Sequence, residues 1–227
     1  MFHVLNRGNG RRTLFFGSAD YEAFVRVVKE ALLIVPMRIL GYCLMPNHWH
    51  FVLWPELDDQ LSAFMHQLMT THVRRWQKAH HREGEGHVYQ GRFKSFPVES
   101  DEHLYTLCRY VERNAVRAGL VERAEDWVWS SAWARLHPDD PRALPLDDWP
   151  IPRPVDWLDR VNQALTGAEI EALRRCGERG SPYGSGPWVE HTARHLGLEA
   201  TLRSRGRPPK KRSSQGHATS SANNMAP

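Results

Sequence analysis

Apolar residues along this chain switch repeatedly between a period near two and a period near 3.6, and the switches mark its elements. Phe2 to Asn6 is short and compatible with a β-strand. Tyr21, Phe24, Val25, Val28, Leu32 and Val35 then recur at helical spacing until Pro36 stops the run. Residues 37–45 (MRILGYCLM) read as a buried strand, Pro46-Asn47 as a turn, and residues 48–54 (HWHFVLW) as the second arm of a hairpin. Leu61, Phe64, Leu68, His72 and Trp76 mark another helix, with Asp58 and Asp59 as its cap and first-turn acids. Residues 88–98 (VYQGRFKSFPV) predict a strand, and Ser100-Asp101-Glu102 opens a helix that ends near Gly119. The order β-α-β-β-α-β-α is two split β-α-β halves. These fold most simply as an α+β, ferredoxin-like antiparallel sheet with helices on one face.

The pattern changes after this body. Residues 1–136 form one domain, and residues 137–157, with six prolines and few helix formers, predict a stiff linker. Residues 158–202 predict a small helical attachment, with helices near 168–178 and 187–197 around a Gly/Ser/Pro loop. It reads as a bundle covering the body or as a helix-turn-helix-like DNA reader, and the absence of a strongly basic face favours the first. From Ser213 onward the composition has no core-forming pattern and predicts a disordered end to the 203–227 tail.

Charge sharpens this division. Six of the 30 basic residues lie in Arg203–Arg212, leaving 24 against 26 acidic ones over residues 1–202. A near-neutral body with a basic tail points to contact with a polyanion, although a solubilising tail has the same composition. The longest apolar run, Ala31–Met37, is too short to cross a bilayer, and the start MFHVLNRG lacks the features of a signal peptide. Cys43, Cys108 and Cys176 have no paired spacing, which excludes a disulfide scaffold or a cysteine-based zinc site as an organising feature. A soluble, cytoplasmic protein with no membrane partner is expected.

Two constellations carry chemistry. In His48-Trp49-His50 the two imidazoles share one strand face while Trp49 turns to the other, and convergent imidazoles suit a divalent metal that finds a further ligand. On the helix opened by Ser100, the face Leu104, Leu107, Cys108, Val111 and Ala115 is flanked by His103, Tyr110, Asn114 and Arg117. Tyr110 and Asn114 are four residues apart, so phenol and carboxamide stack. Each set alone has a plain structural reading: incidental histidines, or a hydrogen-bonded core edge. Together they place a Lewis acid held by His48, His50 and Asn114 beside a potential nucleophile, which fits a phosphodiester substrate.

These residues lie in recognisable surroundings. GYCLMPNHWHFVLWP (41–55) resembles the histidine–hydrophobic–histidine motif of the HUH single-tyrosine transposases. GRFKSFPVESDEHLYTLCRYVERNAVRAGLVERAEDWVWSS (91–131) resembles the second block of their REP-associated branch, and FHVLNRGN and SADYEAF resemble its N-terminal region. The resemblance implies a single-strand DNA endonuclease and strand transferase using Mg²⁺ or Mn²⁺ on foldback hairpins of repetitive extragenic palindromes. It implies His48, His50 and Asn114 as metal ligands and Tyr110 as the nucleophile, leaving a 5′-phosphotyrosine and a free 3′-hydroxyl. It also implies a monomer working in the nucleoid. The chain departs from the family in two places. Asn114-Ala115 stands where Asn-Pro is usual, and alanine lets the helix continue. The REP-associated branch also has residues before the first strand that help read a guide sequence, whereas this chain begins on that strand.

Other residues bear on nucleic acid. Gln90, Arg92 and Lys94 would share a strand face from which Arg92 and Lys94 track a single strand's backbone, or simply face solvent. Arg74, Arg75, Lys78 and Arg82 form a second basic cluster near a helix end. Arg205-Gly206-Arg207-Pro208 resembles an AT-hook, whose two arginines lie along a minor groove; a generic basic tail is the alternative. A non-catalytic hairpin-binding descendant of such an enzyme and a hydrolytic metallonuclease remain competing functions.

Overall fold

The strongest pattern in the chain, residues 37–54, forms the hairpin it predicts. Strand β1 spans Phe2–Arg7, β2 Arg38–Met45, β3 His48–Trp54 and β4 Lys94–Pro97, and they pair antiparallel in the order β2-β3-β1-β4. With helices α1 (Ser18–Ile34) and α2 (Gln60–Ala79) between them, this is the expected α+β, ferredoxin-like arrangement. The structure, a computed structural model, describes residues 1–203. Arg205 and Arg207 lie outside the described residues, as does the rest of the expected tail.

The two helices of the ferredoxin-like unit share one face of the sheet, as expected, and a third helix covers the other. On one face Val4, Leu44, Trp49, Phe51 and Leu53 pack against Phe24, Val28, Phe64 and Leu68 of α1 and α2. On the other, Cys43, Met45, Val52 and Phe96 meet Leu104, Leu107, Cys108 and Val111 of α3 (Glu102–Glu112). The reason is visible in β2, where every residue from Ile39 to Met45 is buried; such a strand needs cover on both sides. Asp101 caps α3 by accepting from the His103 N–H at 2.9 Å. The helix is interrupted once, at Arg113 (φ −80, ψ 2), before the short α4 (Asn114–Arg117), so it does not run unbroken to Gly119.

Three local expectations change. Asp59 precedes α2 in a left-handed conformation (φ 60) and makes no side-chain cap; Gln60 Oε1 instead accepts from the Glu56 and Leu57 N–H groups. The strand expected over 88–98 shrinks to β4 plus an isolated Gly8–Tyr89 bridge, with the Gln90 N–H still donating to Arg7 O; beyond it the Asn6 side chain takes the Gly91 carbonyl, and residues 91–93 leave the ladder. Gln90 and Arg92 therefore do not share a strand face with Lys94.

Residues 137–157 are not a free linker. Exposed sheet edges must be covered or blunted, and this segment, with the residues before it, lies along the β2 edge. Short α5 (Ser131–Ala134) places Ser131 Oγ within 3.0 Å of the Tyr42 N–H. Further along, Trp127 and Trp149 donate to the Leu44 and Leu40 carbonyls, and Asp147 takes the Ile39 N–H at 2.8 Å. The attachment after it holds α6 (Trp157–Asn162), α7 (Gly167–Arg179), α8 (Gly186–His195) and α9 (Glu199–Leu202). It covers the opposite edge: the Tyr183 N–H donates to Pro97 O, and Tyr183 O accepts from the Glu99 N–H.

Glu112 joins these parts. Its carboxylate is fully buried and accepts from Ser131 Oγ at 2.6 Å and Trp157 Nε1 at 2.7 Å, with Arg135 at 3.5 Å. Arg109 of the same helix and Arg113 at the break after it donate to the Arg160, Gln163, Val161 and Asn162 carbonyls. A buried carboxylate stripped of a donor is costly. Trp157→Phe keeps a six-membered aromatic ring but loses the pyrrole ring and its N–H, and should lower stability by at least about 2 kcal/mol in urea unfolding. A loss below about 0.5 kcal/mol would show that Glu112 does not depend on this bond.

Candidate active site

The pairing register assembles the site. On β3, His48 and His50 lie opposite Arg7 and Leu5 of β1 and opposite Met45 and Cys43 of β2, all on the face that α3 covers. Their ring centroids are 5.0 Å apart. Trp49 turns to the other face, fully buried, and donates to Tyr89 Oη at 3.0 Å, so the strand cannot slip without ejecting an indole from the core.

Each imidazole is held by its Nδ1, which leaves both Nε2 atoms available. His48 Nδ1 donates to Asn47 Oδ1 at 2.7 Å, and His50 Nδ1 lies 2.9 Å from His3 Nε2. His3 stacks on His50 with centroids 5.1 Å apart, and its own Nδ1 is buried without a partner. Asn47 is tied in turn to the loop after β1: the Gly8 N–H donates to its carbonyl, and its Nδ2 donates to Arg11 O. Gly8 is required there, since a Cβ would stand 2.3 Å from Arg12 O. Burial, followed by the Arg7 and Arg117 charges, pushes His48 down to about 4; burial first, then neighbouring cations, puts His50 well below its ordinary value. Both are neutral near pH 7, the state in which imidazole binds a cation.

Across from them, Tyr110 of α3 presents its ring edge-on to His50 at 5.9 Å and to His3 at 6.2 Å. Asn114 is buried, and Arg117 donates to its Oδ1 at 3.0 Å. The Arg117 guanidinium lies 4.5 Å over the Tyr110 ring and 3.5 Å from its hydroxyl. Two neutral imidazoles and a carboxamide fit a divalent cation, and the partnerless Nδ2 of Asn114 marks a buried polar group whose surroundings are incomplete.

The remaining candidates fall around this corner or away from it. Arg92 and Lys94 meet Arg7, Leu5, Asn6 and Gln90 around a cleft of about 290 Å³ that begins beside the histidines. Arg74, Arg75 and Lys78 belong to α2, across the sheet from the histidines, and Arg75 and Arg82 are paired with Glu30 and Glu85. His103 joins Glu99 and Asp101 in a group whose ligand atoms lie within 4.8 Å of one another. These acceptors are already used, Asp101 as the helix cap and Glu99 by the Ser185 N–H and hydroxyl. His3, Asn47 and Arg7 were missed as site residues from sequence; their signal lies in FHVLNRG and in the Asn beside His48.

Known proteins resemble this chain in sequence and in fold. Residues 1–114 match the family model described as transposase IS200 like, a span that ends on Asn114 and includes His48, His50 and Tyr110. A Haemophilus influenzae protein provisionally described as a REP-associated tyrosine transposase is 27% identical over 139 residues, 57% of this chain and 77% of that protein. A solved structure of a REP-associated tyrosine transposase bound to a REP hairpin shares the fold at a TM-score of 0.50, with 18% identity over 64% of this chain and 85% of the other.

The buried histidines have a measurable consequence. His3 and His72 are pushed by burial to about 3, and His48 to about 4, from 6.5. Unfolded, they take up protons below about pH 6.5, while the folded chain keeps them neutral. Their contribution is fully present above that pH and is lost as the pH falls towards 4. The thermal midpoint should drop steadily between about pH 7 and about pH 4.5, and His72→Phe should flatten the slope. A midpoint indifferent to pH over that range would refute it.

Proposed function

The chain belongs to the IS200-like transposase family, and we propose that it is a metal-dependent single-strand DNA endonuclease and strand transferase acting on palindromic hairpins. The observation that carries this reading is the meeting of Tyr110 with His50 of the His48–His50 pair, a phenol edge-on to a neutral imidazole that a separate element supplies. The bland alternative, a hydrogen-bonded core edge, leaves unexplained why Arg7 and Arg117 flank that pair without an ion-pair partner among the described residues.

In this reading His48, His50 and Asn114 would hold Mg²⁺ or Mn²⁺, which when bound offsets charge on the scissile phosphate. Asn47 and His3 keep the imidazoles oriented from behind. Tyr110 Oη gives up its proton and bonds to phosphorus; the bond from phosphorus to the 3′-oxygen breaks, and that oxygen takes up a proton. The 5′-phosphotyrosine keeps the bond energy available for rejoining. Arg7, Arg92 and Lys94 at the neighbouring cleft would bind the strand's backbone, with Arg205 and Arg207 of the tail adding minor-groove affinity. The hairpin-bound structure with the same fold supports a hairpin substrate. Cover along both sheet edges favours a monomer. No described helix is long and apolar enough to cross a membrane, and DNA as the substrate places the reaction in the cytoplasm, at the nucleoid.

Incubation with a labelled single-stranded hairpin and Mn²⁺ or Mg²⁺ should yield a denaturation-resistant protein–DNA band. Tyr110→Phe should abolish the band while hairpin binding persists, and His48→Ala or His50→Ala should abolish metal-dependent cutting. An adduct surviving Tyr110→Phe overturns the nucleophile. Cutting without an adduct means hydrolysis by water, and binding without cutting means a non-catalytic hairpin binder.

A further inference from the structure

Arg117 occupies an unusual position for an exposed arginine. It engages the carboxamide oxygen of Asn114 at 3.0 Å and the Tyr110 hydroxyl at 3.5 Å, and covers the Tyr110 ring. It has no carboxylate partner among the described residues. The carboxamide has little choice of orientation, because its NH₂ turned to the guanidinium would set donor against donor. The groups bearing charge on the His pair are His3, Arg7 and Arg117 beside the two histidines themselves, and none is anionic.

We propose that Arg117 is a substrate-responsive positioning residue: without DNA it holds the Asn114 oxygen, and the scissile phosphodiester draws it away. This rests on the reading of His48, His50 and Asn114 as ligands. A divalent cation and a guanidinium sharing one amide oxygen repel each other. A phosphodiester is the better partner for arginine, offering two anionic oxygens to its paired N–H donors. Its arrival frees the third ligand and brings the negative charge that the protein's own donors lack. The ion and the DNA therefore bind co-operatively, and linkage makes the effect reciprocal: the ion tightens DNA binding by the same factor.

The test is a Mn²⁺ titration of the full chain by electron paramagnetic resonance, with and without a single-stranded hairpin, in the Tyr110→Phe background so that the DNA stays intact. The hairpin should tighten Mn²⁺ binding about tenfold. Adding Arg117→Ala should tighten Mn²⁺ binding in the DNA-free protein and flatten the response to hairpin, a gain that mere structural damage would not produce. Unchanged or weaker DNA-free binding in Arg117→Ala overturns the proposal, as does coupling that the substitution leaves undiminished. A His48→Ala control separates the two levels. Mn²⁺ binding indifferent to His48 removes the ligand reading and this proposal with it, whereas binding that needs His48 but ignores Arg117 removes this proposal alone.

Discussion

A fully buried carboxylate, Glu112, holds the candidate site together. Tyr110 and Asn114 belong to a helical segment and His48 and His50 to a strand, so the corner exists only while α3 stays pressed on that sheet face. Glu112 lies between Tyr110 and Asn114 and is anchored by Ser131 beside β2 and by Trp157 in the following segment. A charge in the core is tolerable only with its donors in place, which gives the helix one well-satisfied seating on the sheet. The hydrogen bonds from Arg109 and Arg113 to α6 and the residue after it act in the same direction from the outer side of the helix.

Much of this was legible in the sequence, and for definite reasons. The hairpin over 37–54 was readable because its strands are continuous apolar runs joined by Pro-Asn. His48 and His50 sharing a face follows from the two-residue repeat of a strand, and helical spacing pointed to Tyr110 and Asn114 as neighbours, which the structure links through Arg117 across the break at Arg113. What was hidden depended on partners distant in the chain. Nothing near residues 137–157 signals that Asp147 and Trp149 cover β2, because prolines and acidic residues are as common in free linkers as in edge-covering segments. The shortened fourth strand turned on Asn6, whose side chain takes a carbonyl 85 residues away. His3 looked like part of a short apolar strand until pairing set it behind His50.

The electrostatics of the site follow from what is missing as well as what is present. Many metal centres use carboxylates, which attract a cation before any substrate arrives. Here the candidate donors are neutral, the flanking charges are cationic, and the nearest buried acid, Glu112, is committed to Ser131, Trp157 and Arg135. Such a corner is suited to an anionic guest, and it discriminates through charge before any base is read.

Covering β2 with residues 127–149 and pinning α3 with residues 157–163 also sets when the corner can close during the protein's own synthesis. A ribosome delivers the histidine strand and the tyrosine helix well before it delivers Trp157, so the nascent chain holds both halves of the corner without the residues that seat one on the other. Closing those sequence-distant contacts is the slow, late part of folding. A chain abandoned partway through translation therefore carries the residues of the corner without the corner itself.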